Sequence, residues 1–268
     1  GVYRILQPMS SPTTDKPIER HTDTTLTPDC DPMGAAISDH YATGHAARLR
    51  VLSTVFDEDE MPVSHLFRTF DAMPRLERKA MKLARGRVLD VGAGAGCHAL
   101  ELQRRGLDVT AIDISPLSCA TMTKRGVANV TCTNLFSTQL TGEFDTILLL
   151  MNGPGIAGRL SGLQPLLLRL RPLLPPGGQV PIDSSHLKYI YENEDGSLDI
   201  DLNGPYYGEV DYQMVYKDIK GEPFDWLYVD FPLLKSACTA CILSCELVEE
   251  GPHYDYLARL TAALPTNR

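Results

Sequence analysis

The most informative segment of the chain reads Arg87-Val88-Leu89-Asp90-Val91-Gly92-Ala93-Gly94-Ala95-Gly96-Cys97-His98. Its first part, Val88 to Val91, is a short apolar run typical of a buried parallel strand. Three glycines at alternate positions follow, and the residues from His98 to Arg105 have the apolar and polar pattern of a helix. Glycines allow a tight turn, and a helix N-terminus offers free N–H groups to an anion. The segment therefore predicts a site for a nucleotide-like ligand.

Composition limits the class of protein. The 268 residues and 43% apolar content suit one α/β domain with a sizeable core. The net charge of −9 argues against a protein whose main task is to bind nucleic acid. We expect no signal peptide, because no apolar segment followed by small residues begins the sequence, and no apolar run reaches the roughly 18 to 20 residues that cross a bilayer. Seven cysteines, an odd number, fit reduced thiols better than a disulfide framework. We expect a cytoplasmic protein with no membrane partner.

The chain divides into three parts. Residues 1–31 are polar and rich in Pro, Ser and Thr, which predicts a disordered tail or an added leader. Residues 32–86 predict an N-terminal helical cap, with helices at about 35–43, 45–56, 62–73 and 74–86. Residues 87–268 alternate strands and helices, which is typical of a parallel, doubly wound α/β sheet. Within this part, 186–225 predicts an inserted β-hairpin or antiparallel extension, and 242–261 predicts an antiparallel terminal hairpin.

A second acidic residue belongs with the glycine turn. Asp113 ends the second predicted strand, and a carboxylate at this place can accept hydrogen bonds from ribose hydroxyls. The glycine spacing is Gly92-x-Gly94-x-Gly96, whereas a dinucleotide fingerprint is G-x-G-x-x-G. Cys97 stands where that fingerprint needs its third glycine, which counts against a nicotinamide cofactor.

With Asp90 before the glycines, this motif resembles that of the class I S-adenosylmethionine-dependent methyltransferase family. The resemblance spans roughly residues 87–261, and is strongest to bacterial members that act on small or undefined substrates. It implies a seven-stranded, Rossmann-like sheet whose last strand is antiparallel, in agreement with the terminal hairpin predicted independently. It also implies a methyltransferase domain over 87–268 and S-adenosylmethionine as the cofactor.

The resemblance assigns cofactor contacts by position. Asp90 and the glycine turn would hold the methionine part, Asp113 the ribose hydroxyls, and Ile114 would line the adenine. Asn134 stands where the family often has an acid that bonds the adenine amine; it either accepts that bond through its carbonyl or serves as a turn residue. The implied cofactor-binding residues are Asp90, Gly92, Ala93, Gly94, Gly96, Asp113, Ile114, Asn134, Leu135 and Asn152.

The acceptor side follows no family pattern. The fourth strand leads to Asn152-Gly153-Pro154-Gly155, which departs from the Asn-Pro-Pro-aromatic motif of some N-methylating members. Methyl transfer needs an oriented acceptor and, where required, a proton acceptor, so the catalytic candidates are Asn152, Asp183 and His186. His98 either contacts the cofactor or caps and packs the helix. The tyrosines of the insert either form an acceptor pocket or pack on the core.

The leading hypothesis is methyl transfer to a small-molecule acceptor. The alternatives are a non-catalytic S-adenosylmethionine-binding or interaction module, a Rossmann NAD-dependent oxidoreductase, and an RNA methyltransferase. No metal site is expected, because Cys238, Cys241 and Cys245 lack the spacing of a zinc site and fit buried thiols better. The sequence indicates no oligomeric state.

Overall fold

The computed structural model describes residues 24–262, so most of the expected tail, 1–23, lies outside the described residues. The tail prediction is wrong for residues 24–31, which lie against the domain. The backbone N–H of Leu26 donates to the carbonyl of Ile114 at 2.8 Å. Asp31 is 1% exposed and accepts hydrogen bonds from the Ser115 hydroxyl and the Gly34 backbone. The contacts with Ile114 and Ser115 join residues distant in sequence, and a polar composition does not reveal them.

Six α-helices and twelve strands make up the described chain. The helices are α1 Pro32–Thr43, α2 Arg75–Leu83, α3 Cys97–Arg104, α4 Pro116–Arg125, α5 Leu163–Leu170 and α6 Phe231–Ala240. The strands are β1 Leu49–Leu52, β2 Asp59–Met61, β3 Arg87–Val91, β4 Asp108–Asp113, β5 Asn129–Cys132, β6 Thr146–Leu148, β7 Gln179–Ser185, β8 Glu209–Tyr216, β9 Ile219–Lys220, β10 Phe224–Leu227, β11 Leu243–Glu250 and β12 Asp255–Ala262.

Seven strands form the central sheet, in the order β11-β12-β7-β6-β3-β4-β5. Strands β3 to β7 are parallel, and β12 is antiparallel to both of its neighbours. The middle strands read as apolar runs because helices cover both faces, and Val88 and Leu89 are fully buried. The predicted doubly wound, seven-stranded sheet with an antiparallel last strand is confirmed.

A second sheet, here called the accessory sheet, has the order β10-β8-β1-β2, with β9 paired to β8. Its strands β8 and β10 come from the predicted insert and pair antiparallel, as expected. The same sheet takes β1 and β2 from the N-terminal region, so the helix predicted over 45–56 is wrong. Leu49 lies opposite Tyr216, and the pair packs in a small core. The apolar spacing fits a helix, but pairing with a strand more than 150 residues away decides the outcome.

The rest of the N-terminal region also differs from four helices. The predicted first and last helices are present as α1 and α2. The segment expected as a helix over 62–73 forms two short 3₁₀ turns, Val63–Phe67 and Phe70–Ala72. No helix of the described chain is long and apolar enough to cross a membrane.

Candidate functional site

The candidate site lies at one edge of the central sheet, here called the carboxyl edge, where strands β3 to β7 all end. Parallel strands bring their carboxyl ends together, and ligands of open α/β sheets bind there. The structure thus places five of the predicted polar residues at this edge: Asp90, Asp113, Asn134, Asn152 and Asp183.

The glycine turn between β3 and α3 is built for close approach. Gly92 and Gly94 have φ of 65° and 58°, values that side chains rarely adopt. Apart from each glycine and its two chain neighbours, no heavy atom of the described residues lies within 4 Å of the position a Cβ would take at Gly92 or Gly94. Gly96 serves packing instead, because a Cβ there would lie 3.0 Å from Met122. The first two glycines therefore leave open space beside the backbone for a ligand.

Asp90, at the end of β3, is a buried carboxylate with one unused oxygen. The residue is 3% exposed, and its Oδ2 has no hydrogen-bond partner in the described part of the chain. The pKa of Asp90 is raised to about 6, mainly by burial and also by the Asp113 charge, while the His98 charge and a backbone hydrogen bond from Ala99 act to lower it. A buried acceptor left unpaired costs free energy, so this oxygen suits a ligand that brings a positive donor. An amino acid ammonium group fits that description.

Asp113, at the end of β4, joins the glycine turn to the start of α4. Its Oδ2 accepts from the Gly94 backbone N–H and its Oδ1 from that of Ser115, both at 2.9 Å. Each oxygen keeps a second lone pair, so the half-buried carboxylate can still accept from ligand hydroxyls. Ile114 follows it and is 38% exposed, as a residue that lines an open cleft would be.

After the end of β5, both polar atoms of the Asn134 side chain already form hydrogen bonds within the protein. The Asn134 Oδ1 accepts from the Phe136 backbone N–H at 3.0 Å, which is a turn contact. Its Nδ2 donates to the Thr24 carbonyl at 3.4 Å. Leu135 is 3% exposed and packs in the core, so its side chain does not line the cleft.

Asn152 follows β6 in an uncommon backbone conformation. Met151 and Asn152 have φ of 60° and 63°, and two consecutive non-glycine residues in this region mark strain, which tends to occur at functional sites. The Asn152 amide is already in use: Nδ2 donates to the Leu227 carbonyl at 3.0 Å, and Oδ1 accepts from Ser184 at 2.5 Å. This side chain connects β7 and the accessory sheet to the end of β6.

Asp183 lies near the end of β7, and its Oδ1 accepts from the Asn152 backbone N–H at 2.8 Å. Burial raises the pKa of Asp183 to about 6, so the group is mainly a carboxylate at neutral pH. Among the catalytic candidates, Asp183 therefore has the chemistry of a proton acceptor. It also holds the strained Met151–Asn152 turn in place.

His186 lies beyond the end of β7, in a cluster of aromatic rings. Its ring centroid is 5.0 Å from that of Tyr254 and 6.4 Å from that of Tyr189. Its Nδ1 is buried and has no hydrogen-bond partner among the described residues. A catalytic histidine is normally oriented by a partner on its second ring nitrogen, and this structure shows none for Nδ1.

Two tyrosines of the insert, Tyr212 and Tyr216, form hydrogen bonds with other side chains of the protein. Tyr216 is 1% exposed and packs in the core, where its hydroxyl donates to Asp39 Oδ2 at 2.7 Å. The hydroxyls of Tyr212 and Tyr228 lie 2.8 Å apart on partly buried side chains.

Cys238 and Cys241 are buried, and no group of three or more metal-ligating side chains occurs within residues 24–262.

One cluster at the site was not predicted. The Arg68 guanidinium donates to both oxygens of Glu77, and Glu77 Oε1 lies 2.7 Å from His98 Nε2. These three side chains, here called the buried triad, are 3 to 7% exposed. The sequence held one signal: Glu77 shares a helix face with buried Ala80 and Met81, three and four residues later. A glutamate on an apolar face needs a buried partner.

Comparison with known proteins agrees with this geometry. A family model described as a methyltransferase domain matches residues 88–178. A crystal structure of a SAM-dependent methyltransferase from Bacteroides fragilis, in complex with S-adenosyl-L-homocysteine, is 52% identical with a TM-score of 0.86. The match covers 91% of this chain and 99% of that chain. No curated protein matches the sequence significantly.

Two more distant structures share the fold alone. The CcbJ methyltransferase from Streptomyces caelestis is 15% identical with a TM-score of 0.58, over 87% of this chain and 98% of that one. The sugar N-methyltransferase KedS8 from Streptoalloteichus is 18% identical with a TM-score of 0.50, over 74% and 88%. The Bacteroides match at 52% identity, together with the methyltransferase domain that contains the glycine turn, shows that this chain belongs to the SAM-dependent methyltransferase family.

Proposed function

We propose that this protein transfers a methyl group from S-adenosylmethionine to a small-molecule acceptor. The observation that carries the proposal is the unpaired, buried Oδ2 of Asp90 beside the open faces of Gly92 and Gly94. A carboxylate with this surrounding suits the ammonium group of an amino acid, and S-adenosylmethionine contains one. The S-adenosylhomocysteine complex of the 52% identical relative supports the same ligand here.

Different residues of the carboxyl edge would bind different parts of the cofactor. Asp90 would accept from the ammonium group, while the glycine turn, including Ala93, would contact the methionine part. Asp113 would accept from the ribose hydroxyls with its remaining lone pairs, and Ile114 would contact the adenine. Asn134 would accept from the adenine amine through the second lone pair of its carbonyl oxygen, whose first lone pair accepts from Phe136.

S-adenosylmethionine supplies, when bound, a methyl group that its sulfonium already activates. The protein then has to orient an acceptor, exclude water and, where the acceptor requires it, take a proton. The strained turn at Met151 and Asn152 would shape the acceptor side, and Asp183 would be the proton acceptor. Its carboxylate is suited to that task above pH about 6, because below this pH it becomes protonated.

A small acceptor fits the surroundings better than a nucleic acid. The carboxyl edge carries Asp90, Asp113 and Asp183, and the whole chain has a net charge of −9, so phosphates would be repelled. The accessory sheet also lies beside the carboxyl edge, because the Asn152 side chain donates to the carbonyl of Leu227 in β10. An RNA methyltransferase is therefore disfavoured, and family membership disfavours the NAD-dependent oxidoreductase.

The test has two stages. Calorimetric titration should show S-adenosylhomocysteine binding with a Kd in the micromolar range or tighter, and no binding of NAD. A panel of amines, phenols, thiols and carboxylic acids should then reveal an acceptor that consumes S-adenosylmethionine. Tight cofactor binding with no turnover across the panel would favour the non-catalytic binding module instead.

A further inference from the structure

The buried triad of Arg68, Glu77 and His98 takes no part in the contacts proposed above. Replacing such a buried ionic cluster by apolar residues of similar volume is often neutral or stabilising. Stability alone therefore gives weak reason for three charged side chains that are 3 to 7% exposed. The place of the triad in the fold suggests what it does instead.

His98 lies near Asp90, because its charge lowers the pKa of that carboxyl group. It is the second residue of α3, immediately after the glycine turn. In the strand register Asp90 lies opposite Leu148, and Leu149 opposite Ile182. Side chains alternate between the faces of a sheet, so Asp90 and Asp183 point to the same face. Residues of α2 and α3 cover that face, in one core with Val88 and Leu148.

The charge on His98 depends on its neighbours. Burial lowers the pKa of His98, and a position in the first turn of a helix also disfavours a cation. The Cys97, Glu77 and Asp90 side chains act in the opposite direction, and the pKa ends well above its ordinary value. The Glu77 Oε1 to His98 Nε2 distance of 2.7 Å is that of a charge-assisted hydrogen bond. The raised pKa and the short contact with Glu77 both favour the imidazolium form of His98.

We propose that Glu77 is a positioning residue of the cofactor site: it holds His98 as an imidazolium, and this cation keeps the Asp90 carboxylate ionised for the cofactor's ammonium group. The identity of the ligand rests on the proposed function. Arg68 completes the arrangement by balancing the second oxygen of Glu77. The other titratable groups that act on these residues are His65 from the turn before Arg68, Cys97 from α3, Asp113 from β4 and Asp183 from β7.

The first test uses His98→Gln, which removes the cation but leaves the Arg68–Glu77 pair intact. S-adenosylhomocysteine affinity is measured by calorimetry between pH 5.5 and 8.5. Without the imidazolium, Asp90 should stay protonated up to a higher pH, since buried carboxyl groups reach pKa values of about 8. The variant should bind about tenfold more weakly at pH 7 and come within about threefold of wild type at pH 8.5.

Glu77→Gln should shift the acidic fall in affinity upward in the same way. The matched control is Glu101→Gln, which removes a carboxylate from α3 that pairs only with Arg104 and Arg105 among the described ion pairs. Its pH profile should coincide with that of wild type. A merely structural triad would weaken binding equally at every pH, and that result in His98→Gln would overturn the inference.

A second measurement needs no ligand. Nitrogen-15 NMR of the histidine rings should show His98 as an imidazolium at pH 7.5 in the wild-type protein and as a neutral ring in Glu77→Gln. If Glu77→Gln does not fold, the wild-type spectrum and His98→Gln still decide the question. A neutral His98 in a wild-type protein that binds S-adenosylhomocysteine would overturn this inference alone. A wild-type protein that binds none at any pH would contradict the proposed function itself.

Discussion

The Asp113 Oδ2 accepts a hydrogen bond from the backbone N–H of Gly94, at a distance of 2.9 Å. This bond joins the end of β4 to the glycine turn that follows β3. The other oxygen of the same carboxylate accepts from Ser115, at the start of α4. One side chain therefore fixes the two loops between which the proposed ribose site lies.

Asp113→Ala should weaken S-adenosylhomocysteine binding on the order of 100-fold, because it removes ligand contacts and releases the glycine turn. It should also lower the free energy of unfolding by about 1–3 kcal/mol through the two lost backbone contacts. Asp113→Asn, which keeps one carbonyl acceptor, is the control and should lose less of both. Calorimetry and chemical denaturation measure the two effects. Unchanged affinity in folded Asp113→Ala would refute the ribose assignment.

The affinity for S-adenosylhomocysteine should fall as the pH drops through about 6. Burial raises the pKa of Asp90 to about 6, so below this pH the group is neutral and no longer attracts an ammonium ion. Asp90→Asn should bind more weakly at pH 7.5 and lose this part of the pH dependence. Titrations from pH 5 to 8 test the prediction, and an acidic fall that persists in Asp90→Asn would show that another group causes it.

The buried Asp90 carboxyl group should also lower the stability of the ligand-free protein at neutral pH. The folded protein keeps a proton on Asp90 up to about pH 6, whereas an unfolded chain releases it near pH 4. Between these values the folded state binds more protons, so this contribution to stability falls as the pH rises. Asp90→Asn should therefore raise the free energy of unfolding at pH 7.5 by about 1–3 kcal/mol. Denaturation of the ligand-free proteins measures it, and a less stable variant would contradict the cost assigned to the buried charge.

Gly155→Ala should disturb the contact between the central sheet and the accessory sheet. A Cβ at Gly155 would lie 2.0 Å from Cε2 of Trp226. Overpacking of this kind costs about 1–3 kcal/mol. Trp226 is the single tryptophan of the chain, so its fluorescence reports directly on the contact. The double variant Gly155→Ala/Trp226→Leu should recover part of the loss, and strictly additive effects would argue against the clash.

Asn152→Gly should destabilise the protein by about 1–3 kcal/mol but change S-adenosylhomocysteine affinity less than about threefold. Glycine keeps the left-handed backbone, so this variant isolates the amide, whose contacts are Leu227 and Ser184. Asn152→Ala should be less stable still, because alanine adds backbone strain. Thermal melting and calorimetry separate the effects. A large loss of affinity with unchanged stability would show that the Asn152 amide contacts the cofactor.

The sequence predicts those strands and helices whose formation depends on the local pattern of residues. The strand before Gly92, the helix after Gly96 and the strand that ends at Asp113 follow from apolar runs and glycine spacing, and the terminal hairpin follows from two runs joined by a short turn. The local pattern does not predict which strands pair when they are far apart in the sequence. Strand β1 looks helical in isolation and becomes a strand only beside β8.

The same limit applies to the site. The sequence places Asp113 and Asp183 at strand ends, and the family motif adds Asp90 before the glycine turn. The triad was missed because Arg68, Glu77 and His98 come from three separate elements, and only their packing brings them together. Asn134 and Asn152 were identified as site residues, but the structure shows amides bonded to Thr24 and Leu227, partners that no spacing rule indicates.

The central claim is that the carboxyl edge binds S-adenosylmethionine through Asp90, the glycine turn and Asp113. Calorimetric titration of the wild-type protein with S-adenosylhomocysteine at pH 7.5, beside Asp113→Ala and an NAD titration, tests it most directly. The account predicts one site with a Kd in the micromolar range or tighter, a large loss in the variant, and no heat with NAD. Binding of NAD, or no binding of S-adenosylhomocysteine by folded wild-type protein, would contradict it.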